Sequence, residues 1–149
     1  MKKLLSLLAA SFLLAGAALA EERATPQDAE ELVKTGVAYL KKHGPEKAYK
    51  EFQNKNGPFV YKDLYLALYD VSGKCVAHGA DPGRVGKSFL DAKDPDGKAF
   101  IKERIEIAKA KGKGWQDYKF KTPANGKVEQ KTSYFELAGD VILTAGAYK

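Results

Sequence analysis

Gly114-Trp115-Gln116-Asp117-Tyr118, Lys131-Thr132-Ser133-Tyr134 and Gly146-Ala147-Tyr148 lie within the last 36 residues and decide the fold. They read as three strands, Trp115 to Lys121, Lys127 to about Leu137, and Asp140 to Tyr148. Turn residues at Pro123-Ala124-Asn125-Gly126 and at Ala138-Gly139-Asp140 join the strands into an antiparallel meander.

Upstream, Leu64 to Tyr69 is a nearly unbroken apolar run, as expected for a strand covered on both faces. Asp70-Val71-Ser72-Gly73 turns it back into Lys74-Cys75-Val76-Ala77-His78, and a connection that short makes the pair antiparallel. Asp81-Pro82-Gly83-Arg84 and Gly86-Lys87-Ser88 mark an irregular loop before Phe89 and Leu90, a natural place for binding residues held on a rigid scaffold. Asp94-Pro95-Asp96-Gly97 reads as the opening of a helix with apolar positions Phe100, Ile101, Ile105, Ile107 and Ala108, ended by Gly112 and Gly114. Near the N-terminus, Thr25-Pro26-Gln27-Asp28 combines a capping hydroxyl, a proline at the first helical position and an acid in the first turn. Leu32, Val33, Gly36, Val37 and Leu40 then form one stripe, and His43-Gly44-Pro45 ends the helix. A second helix runs from Pro45 to about Asn54 with Ala48, Tyr49 and Phe52 inward. This order predicts an α+β domain with one five-stranded antiparallel sheet. The long N-terminal helix covers one face, and the loop and third helix cover the other, leaving room for a pocket.

Met1-Lys2-Lys3, the apolar run Leu4 to Leu14 and the ending Ala18-Leu19-Ala20 read as a secretory signal peptide cleaved after Ala20. The expected mature chain is then one periplasmic domain of residues 21–149. Without Lys2 and Lys3 it carries 23 basic and 19 acidic side chains, with no packed basic stripe of the kind nucleic acid requires. Cys75 is the only cysteine, so no internal disulfide is available. Its apolar context reads as a small buried hydrophobe, with an intermolecular disulfide as the other reading.

The order and spacing of Tyr65 to Asp70 with Gly73, Val85-Gly86-Lys87-Ser88-Phe89, Asp94 with Gly97, Gly114-Trp115 with Tyr118, Lys131 with Tyr134, and Gly146-Ala147-Tyr148 resemble a single Cache domain. This is the extracytoplasmic sensor type with a PAS-like sheet, and the resemblance covers residues 25 to 148. It implies a ligand sensor that binds a small organic acid, commonly a short carboxylate, in the setting of a chemoreceptor or sensor kinase. Only Lys149 follows Tyr148, so the expectation is a stand-alone domain that presents its ligand to a membrane partner.

A carboxylate needs a fixed cation and hydroxyl or amide donors to replace its water. Lys131 stands where the family places its lysine, beside Tyr134. Ideal alternation puts positions 131 and 134 on opposite faces, so both serve one pocket only if a bulge intervenes or one is structural. Arg84 is a second candidate cation, able to clamp a carboxylate bidentately. Tyr118 and Tyr65 are candidate hydroxyl donors, Trp115 a pocket wall, His78 a ligand contact or pH sensor, and Phe89 and Phe100 apolar lining.

Catalysis is not expected: His43 and His78 are the only imidazoles, Cys75 has no evident base, and no nucleophile-turn motif occurs. No metal or cofactor is expected either, since Asp94, Asp96, Gly97 and Glu103 match a calcium loop only in part and no haem-attachment motif is present. The alternative function is a protein-interaction or structural PAS-like module, which includes association as a homodimer.

Overall fold

The computed structural model describes residues 22–149; the expected signal segment and its cleavage site lie outside them. The Thr25 hydroxyl accepts the Asp28 backbone N–H while the Asp28 carboxylate accepts the Thr25 N–H, and this reciprocal cap starts helix α1, Pro26–His43. Gly44 separates it from α2, Pro45–Phe52. Among the described residues, no helix is long and apolar enough to cross a membrane.

The apolar run from Leu64 is not one strand. Val60–Tyr61 (β1) and Leu64–Tyr65 (β2) form a separate two-residue-turn hairpin, with Lys62 at a positive φ of 54°. The chain then enters the main sheet at β3, Ala67–Asp70. Single-residue polarity could not reveal the break, because Leu64 through Tyr69 are buried throughout. After β4, Cys75–His78, and a short 3-10 turn at Pro82–Arg84, the chain reaches helix α3, Phe100–Lys111, later than the sequence suggested. Asp94 caps a turn instead: its carboxylate accepts the N–H groups of Asp96, Lys98 and Lys119, tying the loop to the sheet. Strands β5 (Lys113–Lys121), β6 (Val128–Ala138) and β7 (Val141–Tyr148) complete the meander.

The five-stranded sheet runs β4-β3-β7-β6-β5, antiparallel at each junction. One face packs on α1 and α2 through Val33, Val37, Phe52, Leu66, Leu68 and Leu143. The other carries α3 and the 79–99 loop over Tyr69, Cys75, Ile101, Ile105, Phe135 and Ile142. Cys75 is fully buried there as a free thiol, its pKa pushed up to about 11 by burial. This is the environment of an inert packing residue.

α1 approaches the sheet closely because position 36 lacks a side chain: a Cβ there would lie 2.8 Å from Leu66 Cδ1. Leu66 is completely buried at that contact. Leu66→Ala should therefore lower the unfolding free energy by about 2–5 kcal/mol in urea denaturation. A loss below about 1 kcal/mol would show that α1 does not depend on this contact.

Candidate functional site

The register of the meander builds two cross-strand rows on the α3 side of the sheet. Tyr118, Lys131 and Tyr148 stand opposite one another, and beside them stand Gln116, Ser133 and Gly146. Both rows work because Gly146 has no side chain: a Cβ there would lie 2.6 Å from Lys131 Cε. The lysine therefore lies down across β7. Its ammonium donates to the Tyr65 hydroxyl at 3.1 Å and sits 4.8 Å from the ring centroids of Tyr65, Phe120 and Tyr148.

Arg104 reaches the same space from α3. It is not among the residues singled out from the sequence, although its position four residues after Phe100 and four before Ala108 puts it on the buried stripe of the helix. Its Nε donates to Gln116 Oε1 at 3.2 Å. Gln116 is itself oriented, because its amide nitrogen donates to the Phe100 carbonyl and to Glu103. Arg104 Nη2 is buried and has no hydrogen-bond partner among the described residues.

Lys131, Arg104, Tyr65, Tyr118, His78 and Ser133 thus line one inner cavity, whose described lining contains no carboxylate. Arg104 is only 2% exposed and Lys131 5%. Two cations held this deep without a counter-ion form a site that an anion completes.

The titrations of the neighbours follow from that charge. Burial raises the Tyr118 pKa, but Lys131 and Arg104 outweigh it and bring the phenol down to about 8, helped by a 3.0 Å hydrogen bond shared with Ser133. Burial works against the Lys131 ammonium, yet the oxygens of Tyr65 and Tyr118 hold its pKa above the ordinary lysine value. His78 is driven down to about 3, by burial first and then by Arg84 and Lys131. Its Nδ1 accepts the Asp81 and Ala80 backbone N–H groups at 2.9 and 3.3 Å, which places the proton of the neutral ring on Nε2.

The remaining sequence candidates are distributed around this core. His78 shares a face with Cys75, three residues away, because the ladder shifts register opposite Leu68 and Tyr69. Arg84 stacks over Phe89 at 3.8 Å and reaches Phe120 at 5.8 Å, so this pair backs the cavity through Phe120 and does not line it. Tyr134 and Trp115 are separated from Lys131. β6 pairs without a bulge from Val128 to Ala138, so position 134 faces α1, where the Tyr134 ring packs against Trp115 and its hydroxyl donates to Glu136. Trp115 is 43% exposed on that side. Gln116, Ser133, Phe120 and Tyr148 join the site through strand register, which no single residue announces.

His78 gives the folded protein an acid sensitivity. Unfolded histidine titrates near 6.5, and the folded ring only near 3. The unfolded chain therefore binds the extra proton between these values, so the contribution is complete above about pH 6.5 and is lost as pH falls toward 3, by at most about 1.4 kcal/mol per pH unit. His78→Asn, which keeps an acceptor for the two N–H groups, should flatten the stability curve between about pH 6 and 4 in urea denaturation. An unchanged slope would assign the acid sensitivity to carboxylates alone.

Comparison with known proteins agrees with this architecture. The family described as Single Cache domain 2 matches residues 1–148. The sensor histidine kinase MctS of Rhizobium johnstonii is 40% identical over 73 residues, which are 49% of this chain and 16% of the kinase. The methyl-accepting chemotaxis protein McpP of Pseudomonas putida is 29% identical over 75 residues, 50% of this chain and 14% of that protein. The chain thus matches only a small part of either relative's length. A methyl-accepting chemotaxis protein structure from Vibrio parahaemolyticus superposes with a TM-score of 0.70 and 26% identity, covering 82% of this chain and 86% of that one. A Cache chemosensory domain whose structure concerns carboxylic acid recognition gives 0.69 and 26%, covering 82% and 91%. Cache domains of chemoreceptors and sensor kinases are non-enzymatic, extracytoplasmic sensing modules, and with the family match spanning residues 1–148, this chain belongs to the Single Cache domain 2 family.

Proposed function

We propose that this protein is an exported sensor domain that binds a small organic acid by its carboxylate. In this reading the signal peptide is cleaved after Ala20 and the mature residues 21–149 work in the periplasm. Ligand occupancy is presented to a chemoreceptor or sensor kinase in the membrane, and association as a homodimer is compatible with the outward polar face of α1, which Glu31, Lys34 and Lys41 leave exposed. The observation that carries the reading is the pair Arg104 and Lys131, both buried in one cavity without a carboxylate in its described lining. The likeness to a Cache domain studied for carboxylic acid recognition supports the same ligand class.

The chemistry follows from the donors. One carboxylate oxygen takes the Lys131 ammonium, and the other takes the unpartnered Arg104 Nη2, with Tyr118 as a hydroxyl donor. Charge-assisted bonds of this kind compensate the dehydration of the anion. Gln116 does not touch the ligand; it aims Arg104.

Calorimetric titration with acetate and propionate tests the reading. Lys131→Met should weaken binding by about 10- to 100-fold, the loss of one charged hydrogen bond. The ligand-free variant should still unfold cooperatively, which separates a lost ligand contact from a lost fold. A wild type that binds neither acid, or a variant that binds as tightly, overturns the assignment.

A second measurement reads the same charge through Tyr118. Spectrophotometric titration of the ligand-free protein should show one tyrosine ionising near pH 8. Saturating acetate should raise that midpoint, because the carboxylate cancels the field of Arg104 and Lys131. By linkage, affinity falls as pH rises through 8, and a midpoint that acetate does not move places the anion elsewhere.

A further inference from the structure

The space that fits a small molecule and the buried cation pair Arg104 and Lys131 lie in separate compartments, although Arg23, Lys55, Lys62, Asp63 and Glu129 line the larger one. The inner cavity with Arg104 and Lys131 has a volume of about 20 Å³, room for about one water molecule. Beside it opens a cleft of about 670 Å³, between the β1–β2 hairpin and the turn after β5, with Leu64, Lys62, Thr122 and Tyr148 in its walls. That volume lies within the roughly 300–1,000 Å³ of ordinary small-molecule sites. Among the described residues, Tyr65 alone lines both.

Tyr65 is placed as a partition. Its hydroxyl accepts the Lys131 ammonium proton, the position a carboxylate oxygen would take, and its ring lies 5.0 Å from that of His78. It belongs to the two-stranded hairpin, outside the five-stranded sheet. On the cleft side the Tyr148 hydroxyl is buried without a partner among the described residues.

We propose that Tyr65 is a displaceable partition whose hydroxyl stands in for the ligand on Lys131 in the empty protein, and whose movement into the cleft joins the two compartments into one site. This rests on the carboxylate reading above and extends it. The joined site takes an organic acid with its carboxylate on Arg104 and Lys131 and several further chain atoms in the cleft. The exchange is favourable because an ionised acceptor replaces a neutral one on the ammonium.

Tyr65→Phe, nearly isosteric, and Tyr65→Ala test this by calorimetry with acetate, butyrate and hexanoate. Removing the hydroxyl removes the competitor, so Tyr65→Phe should bind the acids several-fold more tightly than the wild type. Tyr65→Ala should favour the longer chain, changing the hexanoate-to-acetate affinity ratio by about tenfold, the effect of one to two methylenes gaining apolar cover. Weaker binding in Tyr65→Phe makes the hydroxyl a ligand donor and overturns the partition, as does an unchanged chain-length profile in Tyr65→Ala. Binding by Tyr65→Ala alone makes the Tyr65 ring a fixed wall that no ligand displaces, which overturns the partition and removes the wild type as a sensor of these acids. Absence of binding in all three proteins overturns both readings.

Discussion

Arg104 and Lys131 share a buried cavity whose described lining holds no carboxylate, and the local arrangement of the α3 side of the sheet follows from keeping them there. In a low-dielectric interior an isolated charge is costly, so each must be fixed by dipoles and π-faces. Lys131 has one hydroxyl and three aromatic rings. Arg104 has Gln116, which is locked by a carbonyl of the same helix, and it keeps one nitrogen uncommitted. The same field draws Tyr118 toward ionisation, while His78 is kept neutral by burial first and then by Arg84, with Lys131 adding to them.

The sheet divides labour between its faces through the two-residue period of its strands. Odd positions of β6, Lys131, Ser133 and Phe135, face α3, while Tyr134 and Ala138 belong to the cluster under α1. The strand that carries the cation on one side therefore carries the N-terminal helix on the other. Gly36 and Gly146 serve this economy in complementary ways, one letting a helix approach and one letting a lysine lie flat.

Much of the architecture was legible in the sequence because it is written in local chemistry. The Thr25-Pro26 cap, the Gly44-Pro45 break and the turns before β6 and β7 are signals that depend on a few adjacent residues. Lys131, Tyr118, Tyr65 and His78, drawn from the family resemblance and from strand position, come together in one cavity. The alternation argument already set Tyr134 against Lys131, and the unbroken register separates them. The β1–β2 hairpin and the later start of α3 escaped because buried strands and Asx turns share the residue types of the elements they replaced.

By itself, the sequence determined the order of the three helices and of the five strands of the main sheet, their antiparallel pairing and the membership of the chain in a sensor family, since short connections and periodicity act over a few residues. Only the tertiary structure decided that Arg104 is buried. A helix pattern reports which side of the helix a residue occupies, but not whether a partner waits there. It also decided that Trp115 faces away from the cavity and that Tyr65 stands between two spaces. Those facts depend on contacts between residues far apart in the chain, such as position 65 with 131, and a cavity exists only where several elements close around it.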